Sequence, residues 1–179
     1  MAINSKSKGS KNERNLSKWW EGWSGLEFQR VPASGGLRWG NTQNITGDII
    51  CSDERHSRRF PFSIEAKSVK DIRFEHYSLG LKTNKVDEFW GQAKADGERA
   101  GKIPILFMRY NGMPASNWLV IMDYKVYQRW CYSKGVNKFP VIYIHTEKEK
   151  LVLMNSTDLN TVDYTEFIIK IKKLRRNGK

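Results

Sequence analysis

Residues 61–70 read PFSIEAKSVK, and this run constrains the fold more than any other in the chain. Phe62, Ile64 and Ala66 alternate with Ser63, Glu65 and Lys67, which is the period of a strand whose successive side chains face opposite ways. Such a strand must be covered on its apolar face. Its other face carries a carboxylate and an ammonium side by side. Taken alone, that pair reads as an exposed ion pair, which contributes about 0–1 kcal/mol. Any larger role has to come from what the neighbouring segments bring to it.

Around this strand the pattern alternates between helix and strand. Leu16, Trp19, Trp20 and Trp23 recur at helical spacing after Ser10 and Glu13, which have the form of a capping box, so a first helix is expected over about Lys11–Glu21. LEFQRVPAS reads as a short strand ending at Pro32, followed by the glycine-rich SGGLRWGNTQN. GDIICS and RFPFSIEAKS are strand-like runs separated by the polar DERHSRR, the pattern of an antiparallel hairpin. That hairpin places Asp48 and Glu65 on adjacent strands.

Residues 68–83 fit no single element. From Asn84 onward Val86, Phe89, Trp90, Ala93 and Ala100 recur at helical intervals, predicting a second long helix. IPILFMRY and NWLVIM are strands joined by NGMPAS, and DYKVYQRWC is a short helix with Asp123 as its N-cap. FPVIYIH, KLVLMN and a final helix with Tyr164, Phe167, Ile168, Ile171 and Leu174 on one face read as an added C-terminal layer. The expectation is one domain over 1–179, with a core at about 8–130 and an addition at about 135–179.

Charge narrows the function. Thirty-one Lys and Arg against 19 Asp and Glu leave a net +12, with a pI near 9.7. A polyanion is the natural partner, and nucleic acid fits an excess spread along the whole chain better than a membrane surface does. No run approaches a membrane span and no secretory h-region opens the chain, so a cytoplasmic location is expected. Cys51 and Cys131 form no metal-binding or disulfide pattern. His56, His76 and His145 are scattered, which argues against a zinc site or a Ser/His pair. GERAGK at 97–102 is one residue short of a phosphate loop and ends a helix, where phosphate binding needs a helix start. Trp19, Trp20 and Trp23 could stack on bases, but their spacing suits core packing better.

What remains is the triplet of Asp48, Glu65 and Lys67. Two carboxylates suit a hard divalent cation, whose ligands are oxygens. Such a cation polarises a phosphoryl group and activates water at neutral pH. A lysine beside it can stabilise developing negative charge. Phosphodiester hydrolysis needs this kind of set.

The order of motifs resembles the PD-(D/E)xK nuclease superfamily, and within it the archaeal-type Holliday junction resolvases and their phage-borne relatives. The resemblance rests on KGSKNERNLSKWW, FQRVPASGG, GDII, FSIEAKS, VDEFWGQAKADGERAGKIPILFMRYNG and NWLVIMD, spanning roughly residues 8–125. It implies an α/β fold, a restriction-endonuclease-like mixed sheet flanked by helices. It implies Mg2+, or Mn2+ in its place, held by Asp48, Glu65, the carbonyl of Ala66 and Glu13, with Lys67, Ser34 and Gln92 completing the catalytic set. Glu13 reads equally well as the N3 member of the capping box. Arg30 and Ser34 match positions near the scissile phosphate, and Lys11 and Arg14 on the basic first helix are further candidates for DNA contact. Gly47 departs from the family's usual proline, a change expected to be harmless.

The resemblance also implies branched DNA as substrate, cut by a homodimer whose two-fold symmetry matches that of a four-way junction. Other nucleases of the superfamily, of the restriction or repair kind, are a second reading. A basic nucleic-acid binder without catalysis is a third.

Overall fold

The computed structural model describes residues 5–31, 45–73, 85–131, 139–145 and 149–176. The predicted region around Ser34 lies outside the described residues, as does most of the 68–83 segment. A single seven-stranded mixed sheet organises the chain, in the order β1 (Phe28–Arg30), β2 (Ile49–Cys51), β3 (Phe62–Val69), β4 (Ile103–Tyr110), β5 (Leu119–Asp123), β7 (Lys150–Asn155) and β6 (Ile142–His145). Among the strands of the described residues only β3 and β4 run parallel, joined by the crossover helix α2 (Lys85–Ala100). A parallel pair requires such a crossover. β2 and β3 pair antiparallel, as the hairpin pattern predicts.

The two faces of β3 carry different work. Phe62 and Ile64 point into the larger core, with α1 (Ser5–Ser24) supplying Leu16 and Trp20. Trp20 is fully buried and its ring lies 5.3–6.1 Å from those of Phe28, Phe60, Phe62 and Phe107. Core packing is therefore the use of this tryptophan. Val69 on the opposite face joins Leu106, Met108 and the α2 residues Val86, Trp90 and Ala93 in a second cluster. Alternation along β3 thus turns Glu65 and Lys67 toward α2.

The C-terminal residues extend the same sheet. β7 pairs with β5, β6 closes the far edge, and α5 (Tyr164–Arg176) returns to the α1 side, where Phe167 stacks on Phe62 at 5.6 Å. Two short α-helices and a 3-10 turn at Ser57–Arg59 make up the remaining described elements. α3 (Tyr124–Cys131) starts at Asp123, whose carboxylate accepts from Lys125 N at 2.7 Å. α4 (Ser156–Leu159) is capped by Asn155 and has no counterpart in the sequence reading.

One boundary needs correction. α1 begins at Ser5, two turns of chain ahead of the expected start, so Ser10 and Glu13 lie inside the helix. The capping-box role for Glu13 is excluded. Its side chain instead pairs with Arg30 at the end of β1. Among the described residues no helix is long and apolar enough to cross a membrane.

Candidate active site

The site is built on two backbones locked together. Asp48 N–H donates to Ile64 O at 2.8 Å, and Asp48 O accepts from Val31 N at 2.9 Å. The Asp48 side chain then accepts from Ala66 N through Oδ2 at 2.9 Å. These three bonds fix the carboxylate against β3 and leave its rotamer little freedom. Gly47 makes this approach feasible. Its φ is +83°, and a Cβ built on it would stand 2.9 Å from the Ile64 carbonyl carbon and nearer still to the oxygen. Proline, with φ fixed near −65°, cannot adopt this conformation, so the glycine is a requirement and the expectation that the change is harmless understates it.

Glu65 and Asp48 are both nearly buried, at 3% and 5% exposure. Lys67 reaches back along its own strand face to Glu65 Oε1 at 2.5 Å and lies 4.0 Å from Asp48 Oδ2. The ammonium therefore marks a point that both carboxylates address. Burial, followed by the nearby charge of Asp48, pushes the Glu65 carboxyl up to about 7, and Lys67 offsets only part of this. Burial pulls the Lys67 ammonium down, but the hydrogen bond and charge of Glu65 and the charge of Asp48 outweigh it, and its pKa is raised. The ring of Phe89 on α2 lies 5.8 Å from Lys67 Nζ and backs the ammonium.

The donor set suits a hard divalent cation. Two carboxylates are held on adjacent strands, and oxygens are the ligands such an ion prefers. A strand residue's N–H and C=O leave the same edge, so the Ala66 carbonyl faces Asp48 as its N–H does. A buried, mutually repelling carboxylate pair is also what a divalent charge relieves. Glu13 does not join them: it is held by Arg30, and among the described residues no group of three or more His, Cys, Asp and Glu is placed to hold an ion together. Lys11 and Arg14 are exposed on α1, and Gln92 is exposed on α2, one helical turn past Phe89.

Sequence reasoning missed Asp96. This half-buried carboxylate lies one turn beyond Gln92 on α2, accepts from Arg99 at 2.7 Å, and its charge raises both Glu65 and Lys67. The signal was available in the four-residue spacing of Gln92 and Asp96, which puts them on one helix face.

Two consequences are testable. Gly47→Ala combines left-handed strain with a backbone clash and is expected to cost about 2–4 kcal/mol in urea unfolding, while Gly47→Pro should not fold. A loss below about 1 kcal/mol for alanine would contradict the close approach. The second concerns pH. The unfolded Glu65 carboxyl loses its proton near the ordinary value of 4.5, the folded one near 7. Between these the unfolded state holds fewer protons, so stability falls as pH rises. In EDTA, wild-type Tm should drop from pH 5 to pH 8 by more than that of Glu65→Gln. Parallel profiles would contradict the assignment.

With this geometry in view, the relatives are informative. The family model described as "Phage putative PDDEXK endonuclease" matches residues 4–173 and so takes in the C-terminal strands and helices as well as the Asp48 and Glu65 strands. The chain is also similar to Protein D14 of Escherichia phage T5, at 26% identity over 124 residues, which cover 69% of this chain and 73% of that protein. The seven-stranded mixed sheet flanked by helices is consistent with a restriction-endonuclease-like fold. The chain belongs to the phage PDDEXK endonuclease family.

Proposed function

We propose that the chain is a Mg2+-dependent DNA endonuclease that resolves four-way junctions by paired phosphodiester hydrolysis. The observation that carries the hydrolytic part is the buried pair of Asp48 and Glu65, held on adjacent strands with Lys67 bridging them. Asp48, Glu65 and the Ala66 carbonyl would hold the ion. When bound, Mg2+ polarises the phosphoryl group and eases the deprotonation of water.

The chain's own residues do the rest. Asp48 is immobilised by its bonds to β3, so it offers the ion a fixed oxygen without reorganisation. With an ion held there, the Lys67 ammonium would no longer be needed as counter-charge to Glu65 and would be available to orient water and stabilise negative charge developing at the phosphate. Exposed Lys11 and Arg14 supply phosphate contacts on α1. Such contacts position DNA without reading its sequence, which suits a substrate recognised by shape. Arg30 and Ser34 are proposed near the scissile phosphate, with Gln92 supporting the site from α2 and Glu13 acting only through its pairing with Arg30.

The choice of a junction rests on the resemblance of the ordered motifs, and a homodimer follows from it, since symmetric cuts need two sites related by a two-fold axis. Host cytoplasm is the compartment this reading assigns.

One cleavage panel tests the proposal. With Mg2+, a synthetic four-way junction should be nicked while linear duplex is largely spared. EDTA, Glu65→Ala and Asp48→Asn should abolish nicking, and Lys67→Ala should slow it by about 10²–10³-fold. Equal cutting of linear duplex would favour a restriction or repair nuclease. DNA binding without cleavage under any divalent cation would favour a non-catalytic binder.

A further inference from the structure

Tyr110 is the last residue of β4 and one of few large side chains left open on the surface, at 37% exposure. Its position is set by register. β3 and β4 are parallel, with Glu65 opposite Leu106, Lys67 opposite Met108 and Val69 opposite Tyr110. Leu106 and Met108 lie on the α2 face of the sheet, and alternation puts Tyr110 on that face as well. Tyr110 therefore stands on the same face as Glu65 and Lys67, one strand across and one same-face step further along. Strand spacings put its Cα about 8 Å from that of Lys67, roughly two stacked base steps along a DNA strand.

The mount is rigid and basic. Next to Tyr110, the buried Arg109 donates to the carbonyls of Met113, Pro114 and Ala115 at 2.8–3.1 Å and lies 5.2 Å from the Trp118 ring. This clamps the turn that follows β4. Asn111 N–H donates to Lys70 O at 3.3 Å, and Asn111 Oδ1 accepts from Lys8 of α1. Two exposed lysines, Lys8 and Lys70, are thus tied to the turn that follows Tyr110. Among the described residues the Tyr110 ring stacks on no other aromatic ring, in a protein where most aromatic side chains do.

We infer that Tyr110 is a base-stacking platform beside the cleavage site, and that the substrate is DNA presenting a base with a missing stacking neighbour, as at a branch, flap or gap. This rests on the reading of Asp48, Glu65 and Lys67 as the cleavage centre. An open aromatic ring near basic groups is the arrangement by which proteins hold unstacked bases, the ring taking the π-face and the cations the backbone. A base fully stacked inside linear duplex gives the ring no face. Selectivity for breaks in stacking follows, without any base-edge contact.

The test separates binding from chemistry. In the Glu65→Gln background, affinity for a flap, a gapped duplex, a four-way junction and a linear duplex of equal length is measured by fluorescence anisotropy in Ca2+, with and without Tyr110→Ala or Tyr110→Phe. The ratio of branched or gapped to linear affinity should fall about tenfold in the alanine variant and be retained in the phenylalanine variant. An unchanged ratio with alanine, an equal loss on all four DNAs, or a fall matched by phenylalanine would overturn the inference. Cleavage by the otherwise unaltered chain in Mg2+ is scored separately. If it is absent while the ratio still depends on the ring, the nuclease reading has failed and the stacking role stands.

Discussion

Two carboxylates held nearly out of water on adjacent strands repel one another, and the site depends on how that repulsion is tolerated. Lys67 supplies the compensation, within 2.5 Å of Glu65 and 4.0 Å of Asp48. The compensation is partial, since the Glu65 carboxyl remains near 7. One monovalent charge faces two acids, with a further carboxylate, Asp96, close enough to act on both Glu65 and Lys67. The arrangement costs stability and leaves negative charge that a second positive charge would relieve.

That tension persists only because the surrounding structure leaves the groups no alternative. Asp48 is tied to β3 by backbone and side chain, which brings the chain so close that position 47 admits only glycine. β3 is itself clamped on both faces, by the aromatic cluster under α1 and α5 and by α2 above. α2 is anchored independently: Trp90 donates to Glu149 at 2.8 Å and Lys94 pairs with the same carboxylate. The far half of the sheet, beyond the resemblance to junction resolvases, therefore helps to hold the helix that carries Phe89 and Asp96 over the site. The family match runs through residue 173 and so includes these strands.

Much of this was legible in the sequence because it follows from periodicity. The two-residue alternation of Phe62, Ile64 and Ala66 against Glu65 and Lys67, the hairpin between β2 and β3, and the helical spacing of Val86, Phe89, Trp90 and Ala93 all encode burial directly, and burial dominates folding. What escaped was set by tertiary contact. Ser10 and Glu13 have the local form of a helix start, yet Arg30 provides a partner for Glu13 from a strand seventeen residues away, and the helix runs on past both. Gly47 looked like an incidental substitution, since its need arises from the proximity of Ile64. Asp96 and Tyr110 lie inside a matched segment that gives them no role, and it is the packing of α2 and the register of β4 that set them on the Glu65 face of the sheet.

The central claim is that the Asp48 and Glu65 pair is a divalent-cation receptor whose proton is displaced by the metal. Isothermal titration of Mn2+ at pH 7, repeated in buffers of different ionisation enthalpy, reads this directly. Saturable binding is predicted, with protons released as the ion replaces them on Glu65, and both signals should vanish in Asp48→Asn. Heats that never saturate, or binding of equal strength by the Asp48→Asn variant, would contradict the account.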